Sequence, residues 1–194
     1  MAVTKQFIVA IVGMPGAGKT AAASVFATHG WHVIRFGQIT LDEVLRRGWP
    51  VNEESERAIR EEFRMLHGMA AYAVLNLSKI ETLLATAPVA IDNLMSWSEY
   101  KVMKEKFGDR FLLVALYASP RTRSARLAGR AARHGADAEK KFRSFSPAET
   151  AARDAAEIEK LEKGGPIAMA DYTIINEISL EDLRERVKEY IDSL

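Results

Sequence analysis

Short apolar runs recur along the chain at regular intervals, separated by stretches in which polar and apolar positions mix. Residues 7–12, Phe-Ile-Val-Ala-Ile-Val, form the most continuous run, as expected of a central strand buried on both faces of a parallel sheet. Residues 31–34, 89–91, 111–116 and 172–175 repeat the pattern. Helix-like stretches lie between them at 19–28, 53–84, 98–107, 120–133, 147–163 and 180–191. Strands alternating with helices predict an α/β protein with a five-stranded parallel sheet and helices on both faces.

Two intervals, about 39–86 and about 119–168, exceed what a simple crossover needs, and both are helical and charged rather than rich in glycine and serine. They read as inserted helical flaps. The second is dense in arginine and lysine and is interrupted by Gly129, Gly135 and Pro147, so positive charge coincides with hinge-prone positions; a solvated amphipathic helix pair is the alternative. In the first, the apolar stripe Ile59, Phe63, Leu66 and Ala70 is expected to pack into the core.

Of the 194 residues, 48% are hydrophobic and 27% charged, which suits one domain with a full core. Twenty-seven basic residues oppose twenty-six acidic ones, and the net charge of +1 gives no global reason to expect nucleic acid or an anionic membrane as partner. Anion binding must then be local. The absence of cysteine excludes disulfides, thiolate metal sites and thiol catalysis and suits a reducing compartment. His29, His32, His67 and His134 are too scattered to announce a metal site. No apolar run reaches membrane-spanning length, and the N-terminal segment runs straight into a glycine loop, unlike a signal peptide; a cytoplasmic protein is expected.

That loop, Gly13-Met14-Pro15-Gly16-Ala17-Gly18-Lys19-Thr20, carries the chemistry. It lies between the first buried strand and a helical pattern, where backbone N–H groups and the positive end of a helix can cradle phosphates. Lys19 is placed to reach the β- and γ-phosphates of a nucleoside triphosphate, and the Thr20 hydroxyl to ligate Mg²⁺. Asp92 ends the third run and should emerge at the carboxyl edge of the sheet, where a carboxylate can hold Mg²⁺ directly or through water; capping of the next helix is its other possible role, one that Ser96 or Ser98 could also fill.

The chain resembles the nucleoside monophosphate kinases, most closely the adenylate-kinase-related and dephospho-CoA-kinase-like members, over nearly its whole length. The resemblance rests on Gly13 to Thr20, on Arg35-Phe36-Gly37, on Ala118-Ser119-Pro120-Arg121-Thr122-Arg123 and on Ala170-Asp171-Tyr172-Thr173-Ile174-Ile175-Asn176. It implies a three-layer P-loop NTPase fold with a core at about 1–38, 87–118 and 168–194. It also implies an acceptor-binding flap at about 39–86 and a lid at about 119–160. In that lid Arg126 corresponds to an arginine near the adenine and phosphates, Arg130 to a phosphate clamp and Arg153 to an arginine meeting the transferred phosphoryl group. Asn176 falls where the family loops around the base.

The sequence departs from this pattern on the acceptor side. The family's Gly-Asp-x-x-Arg is here Gly37-Gln38-Ile39-Thr40-Leu41, and the related Asp-Gly-x-Arg is Asp92-Asn93-Leu94-Met95. Two guanidinium forks that would fix an anionic phosphate are missing. Arg35, Gln38 and Asp92 are the remaining candidates for acceptor contact.

The expected activity is transfer of the γ-phosphoryl group of ATP, with Mg²⁺, to a small acceptor. A nucleotide-binding regulatory protein that keeps the loop but has lost acceptor chemistry is the alternative. A GTP-hydrolysing switch is weaker, because no Asn-Lys-x-Asp-like base-reading tetrad is present.

Overall fold

The computed structural model describes residues 6–94, 96–129 and 144–194. Its centre is a five-stranded parallel sheet built from β1 (Ile8–Val12), β2 (His32–Arg35), β3 (Val89–Asp92), β4 (Phe111–Tyr117) and β5 (Tyr172–Ile175), in the order β2-β3-β1-β4-β5. Strand β1 is central, pairing with β3 on one side and β4 on the other, and all its residues are buried.

The period-two geometry of a strand explains the layers. Ile8, Ala10 and Val12 point to one face with Val89, Ile91, Phe111, Leu113 and Ala115. That face is covered by α4 (Ala71–Leu84) and α5 (Trp97–Phe107), which contribute Tyr72, Ile80, Tyr100, Met103 and Phe107. Val9 and Ile11 point to the other face with Ala90, Val114 and Leu116, under α1 (Lys19–Thr28) and α9 (Leu180–Asp192), through Phe26, Leu183 and Val187. The continuous apolar run of β1 is thus divided between two separate cores.

The remaining helices are α2 (Gln38–Arg46), α3 (Glu53–His67), α6 (Pro120–Ala128), α7 (Pro147–Leu161) and the short α8 (Gly164–Ala168). The expected helix at 53–84 is two helices. Gly68 adopts φ 69°, a left-handed conformation that costs glycine least, and a short 3₁₀ turn leads into α4. The break also corrects the apolar stripe: Ile59 is buried and Phe63 packs against the core, but Leu66, in the last turn before the break, is 62% exposed. The second strand begins one residue later than expected, because the Trp31 ring packs edge-on against Phe26 instead of entering the sheet.

Candidate phosphate-binding site

The loop from Gly13 to Gly18 joins β1 to α1 with Gly13, Gly16 and Gly18 at positive φ. Gly18 sits at the N-cap of α1 with φ 103°. A Cβ there would lie 2.5 Å from the Asn176 amide nitrogen, so the residue must be glycine on steric as well as conformational grounds. The Lys19 ammonium bends back over the loop and donates to the carbonyls of Gly13 at 2.8 Å and Met14 at 3.1 Å. Withdrawal from water, then the charge of Lys163, push its pKa down from 10.5 to about 7, while Glu157 and Asp92 act in the opposite sense.

Asp92 ends β3 beside this loop and is 6% exposed. It stands in register with Arg35 of β2, whose Nε lies 3.9 Å from its Oδ2. Burial raises the Asp92 pKa, countered by Arg35, Lys19 and a hydrogen bond with the Thr20 side chain. Capping of α5 falls to Ser96, which accepts from the Glu99 amide at 3.1 Å in a reciprocal capping box, leaving the Asp92 carboxylate for the loop side. The Thr20 hydroxyl and the Asp92 carboxylate are hard oxygen donors of the kind Mg²⁺ takes when phosphates complete its shell, so these two residues could hold that ion. Among the described residues no group of three or more His, Asp or Glu forms a self-sufficient metal site. Gln38, at the start of α2, donates to Asp42 at 3.0 Å.

The arginines divide. Arg126 of α6 donates to the Asn176 carbonyl at 3.0 Å and to its side-chain oxygen at 3.3 Å, and Asn176 in turn donates to the Ala17 carbonyl at 2.9 Å. These two candidates therefore reach the loop as one chain of hydrogen bonds. Arg153 of α7 donates to Glu157 at 3.3 Å, with its guanidinium 5.2 Å from the centre of the Phe145 ring. Arg130 and Met95 lie outside the described residues.

Four residues to which the sequence assigned no role of their own complete the arrangement. Arg123, 5% exposed, donates to the Pro15 carbonyl in the loop at 3.1 Å and grips Asp154 of α7 with both terminal nitrogens, at 2.9 and 2.7 Å. Lys163, 1% exposed, is ion-paired with buried Glu157. The Pro-Arg-Thr-Arg run marked this region as basic, but nothing in one sequence pairs Arg123 with Asp154 or Lys163 with the loop.

A glycine loop between a buried central strand and a helix, within this parallel strand order, defines a P-loop NTPase fold. The chain belongs to the AAA domain family, which matches residues 9–146, and to the UPF0200 proteins. A UPF0200 protein of Thermococcus sibiricus is 32% identical over 96% of this chain and 95% of its own. One from Hyperthermus butylicus is 32% identical over 97% and 95%. Among solved structures, TT1252 from Thermus thermophilus superposes with TM-score 0.60 at 22% identity, covering 97% of this chain and 98% of that one. Shikimate kinase from Bacteroides thetaiotaomicron gives TM-score 0.56 at 16% identity, covering 96% and 98%. At these identities the structural likeness shows the fold. Among the described residues no helix is long and apolar enough to cross a membrane.

Proposed function

We propose that the protein is a phosphotransferase of the nucleoside monophosphate kinase type, moving the γ-phosphoryl group of ATP with Mg²⁺ onto a small nucleoside-monophosphate-like or dephospho-CoA-like acceptor. The observation that supports this reading is the Arg123 bridge, which ties the phosphate loop at Pro15 to α7, the helix that carries Arg153, at Asp154. A nucleotide-binding module has no need of an arginine-bearing helix fixed to the loop; a transferase needs positive charge around the moving phosphoryl group.

In this reading Gly13 to Thr20 wrap the phosphates and Lys19 leaves the Gly13 and Met14 carbonyls for the β- and γ-oxygens. Thr20 and Asp92 hold Mg²⁺, which supplies charge neutralisation across the phosphates when bound. Arg126 and Asn176 line the nucleotide side, Arg130 and Arg153 come from the lid at about 119–160, and the flap at about 39–86 closes over the acceptor. Closure excludes water that would otherwise hydrolyse the triphosphate.

The regulatory alternative has its own support: Leu41 stands where the family carries an acceptor-binding arginine, and Gln38 is turned onto Asp42. A coupled ADP-release assay separates the two readings. Mg²⁺-ATP is offered with nucleoside monophosphates, deoxynucleotides, dephospho-CoA and small alcohols in turn. A transferase forms ADP rapidly with one acceptor class and slowly without it. ADP formation at one rate regardless of acceptor would sink the transferase reading.

A further inference from the structure

Lys163 is an expensive residue to place where it lies. A buried ammonium costs several kcal/mol in desolvation, and a buried ion pair is often no more stable than apolar residues of the same volume. Its partner Glu157 is also shared, because the other carboxylate oxygen accepts from Arg153 Nε at 3.3 Å, one helical turn back. Two cations thus meet one carboxylate, an excess of positive charge in which Lys163 and Glu157 are buried and Arg153 is 44% exposed.

This cluster is tied to the phosphate loop, because Asp154 on the same helix as Glu157 and Arg153 is held to Pro15 through Arg123. Lys163 and Glu157 are the two charged groups that act most strongly on Lys19, and Lys163 also acts on Asp92 across the site. The position is fixed from two directions. The Arg123 bridge holds α7 against Pro15, and the turn after Lys163 is pinned where Gly165 packs on Trp97, a contact so close that a Cβ would lie 2.8 Å from the ring.

We propose that Lys163 is a second phosphoryl-binding lysine, held by Glu157 to meet the terminal phosphoryl group of the triphosphate together with Lys19. This rests on the nucleotide-binding part of the function proposed above. Glu157 acts as the positioning residue: it holds both cations in place, and gives up part of its share of them to the phosphate oxygens. The excess charge is the complement that the γ-phosphoryl group brings, which a diphosphate lacks. Lys163 therefore belongs to the discrimination between ATP and ADP.

The test is a pair of titrations on the full chain, with ATP and with ADP, in the presence of Mg²⁺. Lys163→Met alone leaves Glu157 with only Arg153, so the substitution is also made in a Glu157→Gln background, where no buried carboxylate is left unpaired. Loss of Lys163 is expected to weaken ATP binding about tenfold and ADP binding less than about twofold, as for loss of one charge-assisted hydrogen bond to the γ-phosphoryl group. Lys163→Arg should recover part of the ATP preference. Equal weakening for both nucleotides, or none for either, in the Lys163→Met/Glu157→Gln double variant compared with the wild-type chain overturns the proposal, because a merely structural lysine does not distinguish them. Failure of the wild-type chain to bind either nucleotide overturns the nucleotide reading itself and this inference with it.

Discussion

Arg123 and Asp154 form a two-pronged ion pair, at 2.9 and 2.7 Å, across 31 positions of sequence, while the same guanidinium donates to the Pro15 carbonyl. Three segments far apart in the chain, the phosphate loop, α6 and α7, are thereby fastened at one buried point. Arg123→Lys cannot reproduce the fork. For Arg123→Met, which removes the charge and strands the carboxylate, the expected cost is about 3 kcal/mol, the lower range for breaking a buried pair. Chemical denaturation measures it, and an unchanged midpoint would show that the bridge does not matter to stability. Asp154→Asn in the same background should add little further loss, since the two residues act together.

Lys19→Ala should abolish acceptor-stimulated ADP formation while leaving the fold intact, because the ammonium bonds only to carbonyls of its own loop. Circular dichroism and the coupled assay, run on the same preparation, separate the two effects. Thr20→Ala should lower activity chiefly by raising the Mg²⁺ concentration required, a shift that a Mg²⁺ titration at fixed ATP reads directly.

Gly18→Ala pushes a methyl group to 2.5 Å from the Asn176 amide, in a backbone conformation that alanine disfavours. Asn176 would have to release the Ala17 carbonyl, and with it the alignment of Arg126. Weaker nucleotide binding and lower stability are expected together. Gly30→Ala is the control, since its Cβ would meet nothing within 4 Å although its φ is also positive. That substitution should cost about 1 kcal/mol from backbone strain alone and leave binding unchanged.

Helices α2 and α3 are joined by charge. Arg47 bonds to Glu43 in its own helix at 2.6 Å and to Glu62 across the gap at 2.8 and 2.6 Å. Hydrogen bonds from Arg46 and Arg47 hold the Glu43 carboxyl down to about 2, against 4.5 for the free side chain. A carboxyl with a lowered folded pKa stabilises above its unfolded value and loses that contribution as pH falls toward the folded one. Protection factors of the α2 and α3 amides, which take out the slower intrinsic exchange at low pH, should therefore fall between about pH 4.5 and 2, by a small factor because the pairs lie near the surface. Protection factors that rise in this window would contradict the assignment.

Much of the fold was legible because the signals are local. The apolar run of β1 and the glycine loop after it need no distant information, and the serine caps of α5, α6, α7 and α9 all lie within three residues of what they cap. The break at Gly68 was also written locally, but the helical pattern on both sides of it masked the turn. The ionic framework was not legible. Arg123, Lys163 and Glu157 look in sequence like the other charges of a basic, helical stretch, and only the folded sheet brings Pro15 within reach of a side chain 108 positions later. Asn176 shows both aspects. Its place after β5 was readable, whereas its bond to Ala17, 159 positions earlier, depends on β5 and the loop lying at the same edge of the sheet.

Strand β1, paired on both edges and sealed by a separate core on each face, has consequences for the timescale on which the phosphate loop can move. Its amides can meet solvent only when both cores open, so they should exchange at the rate of global unfolding, while the edge strands β2 and β5 exchange through smaller openings. The loop is therefore rooted in the slowest-breathing part of the molecule. Any rearrangement that accompanies turnover is carried by the helices around it, and the loop serves as the fixed point against which their displacement is measured.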